Sequence, residues 1–522
     1  MSVIPRPVRI DRTKGRFSLR NRTPILLPKT SDTKWTRVAE VFVKKAASTH
    51  GIDLEAATPG TEVSHNGVFV VEEQAPELDA AYASSPDDFA RNEAYEIDVG
   101  ENVTIRAAHP HGLHNAFATL LQMVDDEKTV PAAHILDYPR FRHRGLLLDS
   151  ARSFLPADVI KRYIDIISEL KLNVLHLHLV DDQGWRIESG MFPKLHEVGG
   201  VVSNLSTKKL KALASVKYDE NGRRSEEPRY FSIDEASRSR GYYTRDELKD
   251  IVDFAAERHV EIIPEIDVPG HSSALLAAYP ELSCSGKPVR VKRWPGIYGN
   301  ALCPGKEEVY EFLDKLFGEL REIFPSEYVH IGSDEVKNKT WMSSPHNRRL
   351  VEKYDYKDNA GLQSYFVGRV GEILERHGKT MIAWDEVTGY APEGSIVQAW
   401  RRHSYAKKAA EAERDAIVSP VSHCYLDYPQ LFFSHKRLYG FEPVPKGLDA
   451  SLRRHIIGGE VNLWGEFVTL ENTDSKLFPR LLSHAEVMWS PARTRNWNNF
   501  AKRLKHIVKR MEAKGVRFGG RR

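Results

Sequence analysis

The chain has 522 residues, 41% of them hydrophobic and 28% charged, with a formal net charge of +3. These are the proportions of an ordinary soluble globular protein, and near-balanced charge with only a short basic tail (Lys514 to Arg522) gives nucleic acid no footing. No apolar run approaches the roughly 18 residues that a membrane span needs, and the opening MSVIPRPVRIDRTKGRF lacks an apolar signal-peptide core.

Up to Tyr138 the pattern is mixed. GVFVVEE (67–73) reads as a strand, and AYEIDVGENVTIRAA alternates on both sides of Gly100-Glu101-Asn102, the signal of a hairpin. HGLHNAFATLLQMV then places Leu113, Phe117, Leu120, Leu121 and Val124 at helical spacing. Strands followed by a helix predict a small α+β domain over residues 1–138. From Arg144 short apolar runs alternate with amphipathic stretches eight times, at 145–149, 173–180, 260–266, 328–331, 380–384, 395–400, 416–419 and 455–461. After the first run, PADVIKRYIDIISELKL reads as a helix with Val159, Ile160, Tyr163, Ile166, Ile167 and Leu170 on one face. Thr244 is a candidate N-cap for TRDELKDIVDFAAERH. Continuous apolar strands alternating with helices indicate a parallel sheet covered on its outside, and eight such units predict a (β/α)8 TIM barrel over 139–522. A Rossmann domain is the alternative, but no GxGxxG follows a strand. A charged insertion around 201–241 departs from the rhythm and is expected to form a lid or an interface, with a homodimer one possible outcome.

Cys284 and Cys303 flank one hydrophilic segment and either close a loop or, with Cys424, remain reduced thiols; the spacing leaves both open. In a TIM barrel the active site lies at the C-terminal strand ends. Those ends carry Asp149 and Arg152; Asp181 and Asp182; Asp267 and His271; Asp334 and Glu335; Trp384 and Asp385; Trp400; Tyr425 and Asp427; Trp464 and Glu466. No phosphate-cradling glycine loop and no HExxH-type spacing appears, so neither cofactor nor metal is expected. Acids interleaved with indole rings suit a sugar: carboxylates bond hydroxyls, and aromatic faces pack on the C–H faces of a pyranose.

HIGSDEV resembles the His-x-Gly-Gly-Asp-Glu signature of the β-N-acetylhexosaminidases of glycoside hydrolase family twenty. RGLLLDSAR, NVLHLHLVDDQGWRIE, PEIDVPGHSSALLAAYPEL, AWDEV, YLDYPQ and GGEVNLWGEF resemble that family's blocks, in its order. The resemblance implies an exo-acting, retaining glycoside hydrolase that removes terminal GlcNAc or GalNAc from a glycan. The sugar's own acetamide oxygen would attack C1 through an oxazolinium ion. It implies Glu335 as general acid and base, Asp334 and Tyr425 as the groups holding the acetamide, and Asp181 with His271 as their support, Asp181 being preferred to Asp182. Trp341, Trp384 and Trp464 would wall the pocket, Trp400 staying open, while Arg152, Asp427 and Glu466 would bind outer hydroxyls. Asp182 and Asp385 are read instead as caps of the next helix. Alternatives are a disaccharide-releasing lacto-N-biosidase-like relative, a silent sugar-binding protein and a glycosidase with a protein nucleophile. Ser333 stands where the family has a second glycine, so its loop must avoid positive φ or accept strain. Leu177, replacing an aromatic, and Ser153, replacing a histidine, are expected to reshape the site's floor or rim. Opening near VIPRPVRI, where the family's mature domain tends to begin, favours a secreted or periplasmic protein over a cytoplasmic one.

Overall fold

A computed structural model of the chain describes residues 1–56, 67–73, 89–200, 241–431 and 433–519. Of the charged insertion expected around 201–241, only Gly241 lies within the described residues.

Among the described residues, the N-terminal region forms a mixed sheet of β1 (Arg9–Ser18), β2 (Pro24–Leu26), β3 (Glu55–Ala56), β4 (Val68–Glu72), β5 (Tyr95–Val99), β6 (Val103–Ala107) and β7 (Thr129–Asp137), in the order β1-β7-β5-β6-β4-β2-β3. β5 and β6 are the expected hairpin, with Val99 opposite Val103. The helix Pro110–Met123 packs with the helix Thr33–His50, Phe42 stacking on Phe117 at 3.9 Å between ring centroids.

All eight apolar runs of the second half are strands. β8 (His143–Asp149), β9 (Val174–Asp181), β11 (Glu261–Ile266), β12 (Tyr328–His330), β13 (Thr380–Trp384), β14 (Ile396–Ala399), β15 (Ala416–Val418) and β16 (Ile456–Leu463) pair in parallel, and β16 returns to β8 with Leu463 opposite Leu148. A two-residue arm, β10 (Gly184–Trp185), folds back antiparallel on β9. Every residue of β8, β9 and β16 is buried, as strands covered on both faces require. The helix Ala157–Glu169 turns Ile160, Tyr163, Ile164 and Ile167 into the core. Val159 and Ile166, expected on that face, are only partly buried against it. Thr244 caps the helix Arg245–Ala256 through a reciprocal capping box with Glu247. Among the described residues no helix is long and apolar enough to cross a membrane.

Side chains alternate between the barrel's inside and its helical jacket with period two. Val174, Ile263, Ile382, Ile396, Ile417 and Ile457 form one closed apolar cluster from six different strands, a plug across the N-terminal end of the barrel. Two residues further along, the same inward alternation delivers His176, Glu265, Trp384 and Gln398. Polar chemistry therefore begins one layer above a hydrocarbon floor. The same alternation turns Leu177 outward, where it packs in the core between barrel and helices. It therefore shapes neither floor nor rim of the site, contrary to the sequence-based expectation.

The two halves meet through buried charge. Lys171 Nζ donates to Asp137 Oδ2 and to the Tyr95 hydroxyl, each at 2.7 Å, and stands 4.6 Å from the Trp489 ring centroid. The Trp489 indole N–H donates to Asp137 Oδ1 at 2.9 Å. Beside this pair Arg144, wholly buried, forms a two-pronged ion pair with Glu93. Removing one partner of a buried pair strands the other charge, at a cost of about 3–5 kcal/mol. Lys171→Met is accordingly expected to lower unfolding stability by that amount in chemical denaturation; a loss below about 1 kcal/mol would show that the junction contributes little beyond packing.

Candidate active site

The acids Asp334 and Glu335 leave β12 through a contorted backbone. Gly332 has φ +63, Ser333 +70 and Glu335 +49, so this loop takes the strained alternative posed by Ser333. Gly332 is required on space as well: a Cβ there would lie 2.1 Å from Asp267 Oδ1. Ser333 N donates to that oxygen at 3.1 Å, and Gln363 Nε2 donates to the Ser333 carbonyl at 2.7 Å and to its hydroxyl at 3.2 Å. These bonds hold the loop in the left-handed region and present both neighbouring carboxylates to one histidine.

His271, itself at φ +45, joins the acids to the rest of the site. Its Nε2 lies 3.8 Å from Asp334 and 3.7 Å from Glu335, and its Nδ1 lies 3.3 Å from both Asp181 and Asp182. Asp181 continues the chain to Arg152 Nη2 at 2.6 Å and His178 Nε2 at 3.0 Å. Asp182 instead accepts from the backbone N–H and hydroxyl of Ser273, at the start of the helix Ser273–Ala278 that follows β11, so it caps no helix next to it in the chain, contrary to the sequence-based expectation. Burial disfavours the His271 imidazolium, but Asp181, Asp267 and Asp334 together lift its pKa well above the ordinary value. Burial and the Asp334 charge push Asp267 well up, and burial likewise raises Asp334. The resulting row is Arg152 cation, Asp181 anion, His271 cation, then the acid pair Asp334 and Glu335.

Beneath lies Glu265, wholly buried. It accepts from Trp384 Nε1 at 2.9 Å, pairs with His178 Nδ1, and lies 3.2 Å from both His176 Nε2 and His330 Nδ1. His176 is held from its other side by Glu460 at 2.9 Å, and Glu460 also accepts from Gln398 at 2.8 Å. Burial disfavours the His176 imidazolium, yet Glu460 and Glu265 outweigh it and raise its pKa to about 9. The ligand atoms of His176, Glu265 and His330, and those of His271, Asp334 and Glu335, lie within 4.8 Å of one another. Among the described residues the same holds for His178, Glu265 and Asp267, for Asp181, Asp267 and His271, and, away from the site, for Glu96, Asp98 and His134.

Four rings line the opposite wall. Trp384 and Trp464 are 5.7 Å apart between centroids, Tyr425 and Trp464 6.1 Å, and Trp400 stacks on Tyr425 at 6.3 Å and 21°. Trp400, left open by the sequence, thus joins the wall, whereas Trp341 does not. It is fully buried in a separate cluster with Ala301 and Leu362, its carbonyl held by Asn347 Nδ2 at 3.0 Å. Arg152 also meets Asp149 at 2.9 Å and Glu466 at 3.5 Å, with its guanidinium 5.2 Å from the Trp464 ring centroid. Asp427 is pushed up to about 7 by burial and by the Glu466 charge. Asp385 caps no helix of its own; it accepts from the backbone N–H groups of Trp400 and Arg401 at 3.0 Å, locking β13's end to β14's.

Two oxygens stand out. Asp334 Oδ1 and Asp427 Oδ1 are buried without a hydrogen-bond partner among the described residues, which is rare unless a ligand or water supplies the donor. Sequence reasoning missed Glu265 and Glu386. The first was legible from period two, since Ile263 and Glu265 share a face. Glu386, beside the noted Trp384 and Asp385, accepts from the Trp400 indole at 3.0 Å and is raised to about 8 by burial and Asp334.

A closed parallel barrel with paired acids, a ring wall and unpartnered buried acceptors at its C-terminal mouth is the arrangement of a glycoside-cleaving enzyme. The sequence profile "Glycosyl hydrolase family 20, catalytic domain" matches residues 141–492, and that of the same family's domain 2 matches residues 1–138. The chain belongs to glycosyl hydrolase family 20, the β-N-acetylhexosaminidase family. It is 30% identical over 544 aligned positions to a beta-hexosaminidase of Porphyromonas gingivalis, matching 99% of this chain but only 64% of that protein. Its structure is similar to that of the Flavobacterium johnsoniae chitobiase, with a TM-score of 0.82 and 30% identity over 99% of this chain and 73% of that one. It is also similar to the Streptomyces plicatus N-acetyl-beta-hexosaminidase solved with Thio-NAglucal, with a TM-score of 0.80 and 30% identity over 99% and 96%.

Two predictions follow from the strained loop and the charged floor. Ser333→Gly is expected to relieve about 1 kcal/mol of backbone strain and raise the melting temperature; an unchanged or lower value would mean that the Gln363–hydroxyl bond outweighs it. His176 carries a folded pKa of about 9 against an unfolded value of about 6.5. Its stabilisation is therefore complete below about pH 6.5 and lost as pH rises through 9. Glu386, raised to about 8, adds a fall of the same sign from about pH 4.5 upward. Melting temperature is expected to decline between pH 6.5 and 9, less steeply in His176→Gln; equal slopes would remove the charge from His176.

Proposed function

We propose that the site hydrolyses terminal β-linked GlcNAc or GalNAc with retention, using the substrate's acetamide as nucleophile. The observation that carries this reading is the orphaned Asp334 Oδ1, a buried acceptor beside a more exposed Glu335 on the same turn. A conventional pair of glycosidase carboxylates sits across the scissile bond on opposed elements; two carboxylates from adjacent residues of one turn, with ligand atoms within 4.8 Å of each other, suit two neighbouring atoms of one sugar. Glu335, 30% exposed, hands its proton to the glycosidic oxygen as the C1–O bond breaks. The acetamide oxygen bonds to C1, and Asp334 accepts the acetamide N–H, orienting it and offsetting the positive charge of the oxazolinium. Tyr425, held between Trp400 and Trp464, donates its hydroxyl to the acetamide oxygen. Glu335, now the carboxylate, takes a proton from the water that opens the ring at C1. The Arg152–Asp181–His271 row holds the imidazolium beside both acids, so neither moves off its target as charge shifts. Arg152, Glu466 and Asp427 remain for outer hydroxyls, which supports exo action on one sugar over release of a disaccharide. Cys284 and Cys303 form a disulfide, which supports an exported, oxidising location.

The test is release of nitrophenol from the β-GlcNAc, β-GalNAc and β-glucose glycosides. Turnover is expected for the N-acetyl sugars alone. Glu335→Gln and Asp334→Asn are each expected to lower kcat by about 10²–10⁴-fold, and Tyr425→Phe by about 10²-fold. Comparable turnover of the glucoside, or an active Glu335→Gln, would sink the acetamide-assisted mechanism.

A further inference from the structure

The segment from Cys284 to Cys303, CSGKPVRVKRWPGIYGNALC, contains Lys287, Arg290, Lys292 and Arg293 and no acidic residue. It is long for a barrel connection and has no regular secondary structure, yet it is anchored closely. Lys292 N donates to the Asp182 carbonyl at 2.8 Å, and Gln183 Nε2 donates to the Trp294 carbonyl at 2.9 Å, so the loop lies on the end of β9. Asn300 Nδ2 donates to the Ser273 hydroxyl at 2.9 Å, and Leu302 N donates to the Pro269 carbonyl at 3.0 Å, tying it to the turn that carries His271. Asn338 Nδ2 donates to the Gly299 carbonyl at 3.0 Å, and a side chain on Gly299 would come within 2.9 Å of the Lys337 carbonyl. The loop therefore touches the three strand ends that supply Asp181, His271 and the acid pair.

Glu335 protonates the leaving oxygen, so the rim on its side faces the leaving sugar, while the ring wall and Arg152 take the sugar being released. That rim is cationic. Lys287, Arg290 and Arg293 are exposed, as are Lys337 and Lys339 just beyond Glu335, and none of them has an ion-pair partner among the described residues. Lys292 is half-buried with its ammonium 4.9 Å from the Tyr298 ring centroid. Exposed cations with no ion-pair partner leave positive charge uncompensated on this rim, and a bound anion supplies the missing counter-charge. The half-buried Trp294 among them offers a ring face to a pyranose.

We propose that this disulfide-closed loop is a leaving-group subsite selecting substrates in which the sugar next to the terminal N-acetylhexosamine bears a negative charge, as a carboxylate or a sulfate ester. The inference rests on the hexosaminidase reading and deepens it: the terminal sugar is recognised by the buried pocket, the charge beyond the scissile bond by Arg290, Lys292 and Arg293.

The experiment compares kcat/KM for three disaccharides with β-GlcNAc on a uronate, on a 6-O-sulfated hexose and on the neutral hexose, at low salt and at 0.5 M NaCl. A preference of about tenfold for one or both charged compounds is expected at low salt, shrinking severalfold at high salt as the field is screened. Preference for one alone assigns the anion as carboxylate or as sulfate. In Arg290→Gln/Arg293→Gln the charged-to-neutral ratio is expected to fall toward one. A ratio near one in the unmodified protein, or a preference that persists in the double variant, overturns the proposal. Calorimetric binding of the same three compounds to Glu335→Gln reads the preference without turnover. Inactivity on all three compounds thus counts against the hexosaminidase reading, while the binding arm still decides the question of charge.

Discussion

The Glu265 carboxylate is the constraint on which the site depends. It sits where the barrel interior changes from branched hydrocarbon to polar groups, and four partners from three other strands converge on it: His176 and His178 from β9, His330 from β12 and Trp384 from β13. A buried carboxylate with fewer partners would take up a proton or distort its surroundings. With these partners its pKa lies well below the usual carboxylate range despite burial, chiefly through His178 and His330. One anion thus fixes the indole that walls the pocket, the histidine that steadies Asp181 and the strand from which the acids depart.

From that anchor charge alternates outward to the mouth. Glu265 holds His178, His178 and Arg152 hold Asp181, Asp181 holds His271, and His271 faces Asp334 and Glu335. Each group is stabilised by a neighbour of opposite sign, so the row tolerates burial that no member would tolerate alone. The backbone takes positive φ at both His271 and Glu335, where this row meets the acids.

Much of this was legible in the sequence, for identifiable reasons. The eight strands showed because parallel strands buried on both faces are written as unbroken apolar runs, and TMIAW matched β13 residue for residue. The acid pair, His271 and Asp181 showed because they end such runs and stand in recognisable blocks. Trp341 misled because an indole near an acid reads alike whether it lines a pocket or fills a core; only the partner residues, here Ala301, Leu362 and Asn347, distinguish the two. Leu177 misled because its neighbours His176 and His178 drew attention inward while the pleat turned it outward. Asp385 was taken for a local cap because sequence shows adjacency along the chain, whereas its partners Trp400 and Arg401 adjoin it across the barrel.

The junction between the halves has a meaning for how such a chain can be inherited or engineered. Asp137 receives Lys171, Tyr95 and Trp489 at once, and Arg144 reaches Glu93 from inside the first barrel strand. A barrel cut free before residue 139 would lose the counter-charges of Lys171 and Arg144 and the acceptor of the Trp489 indole, and would expose a ring that packs in the smaller domain's apolar cluster. The smaller domain is thus less an appendage than the missing counter-charge of the larger one. Recombination that separated them would have to rewrite both sides of the seam together, so the two are expected to move through evolution, and through any design exercise, as one exchangeable piece.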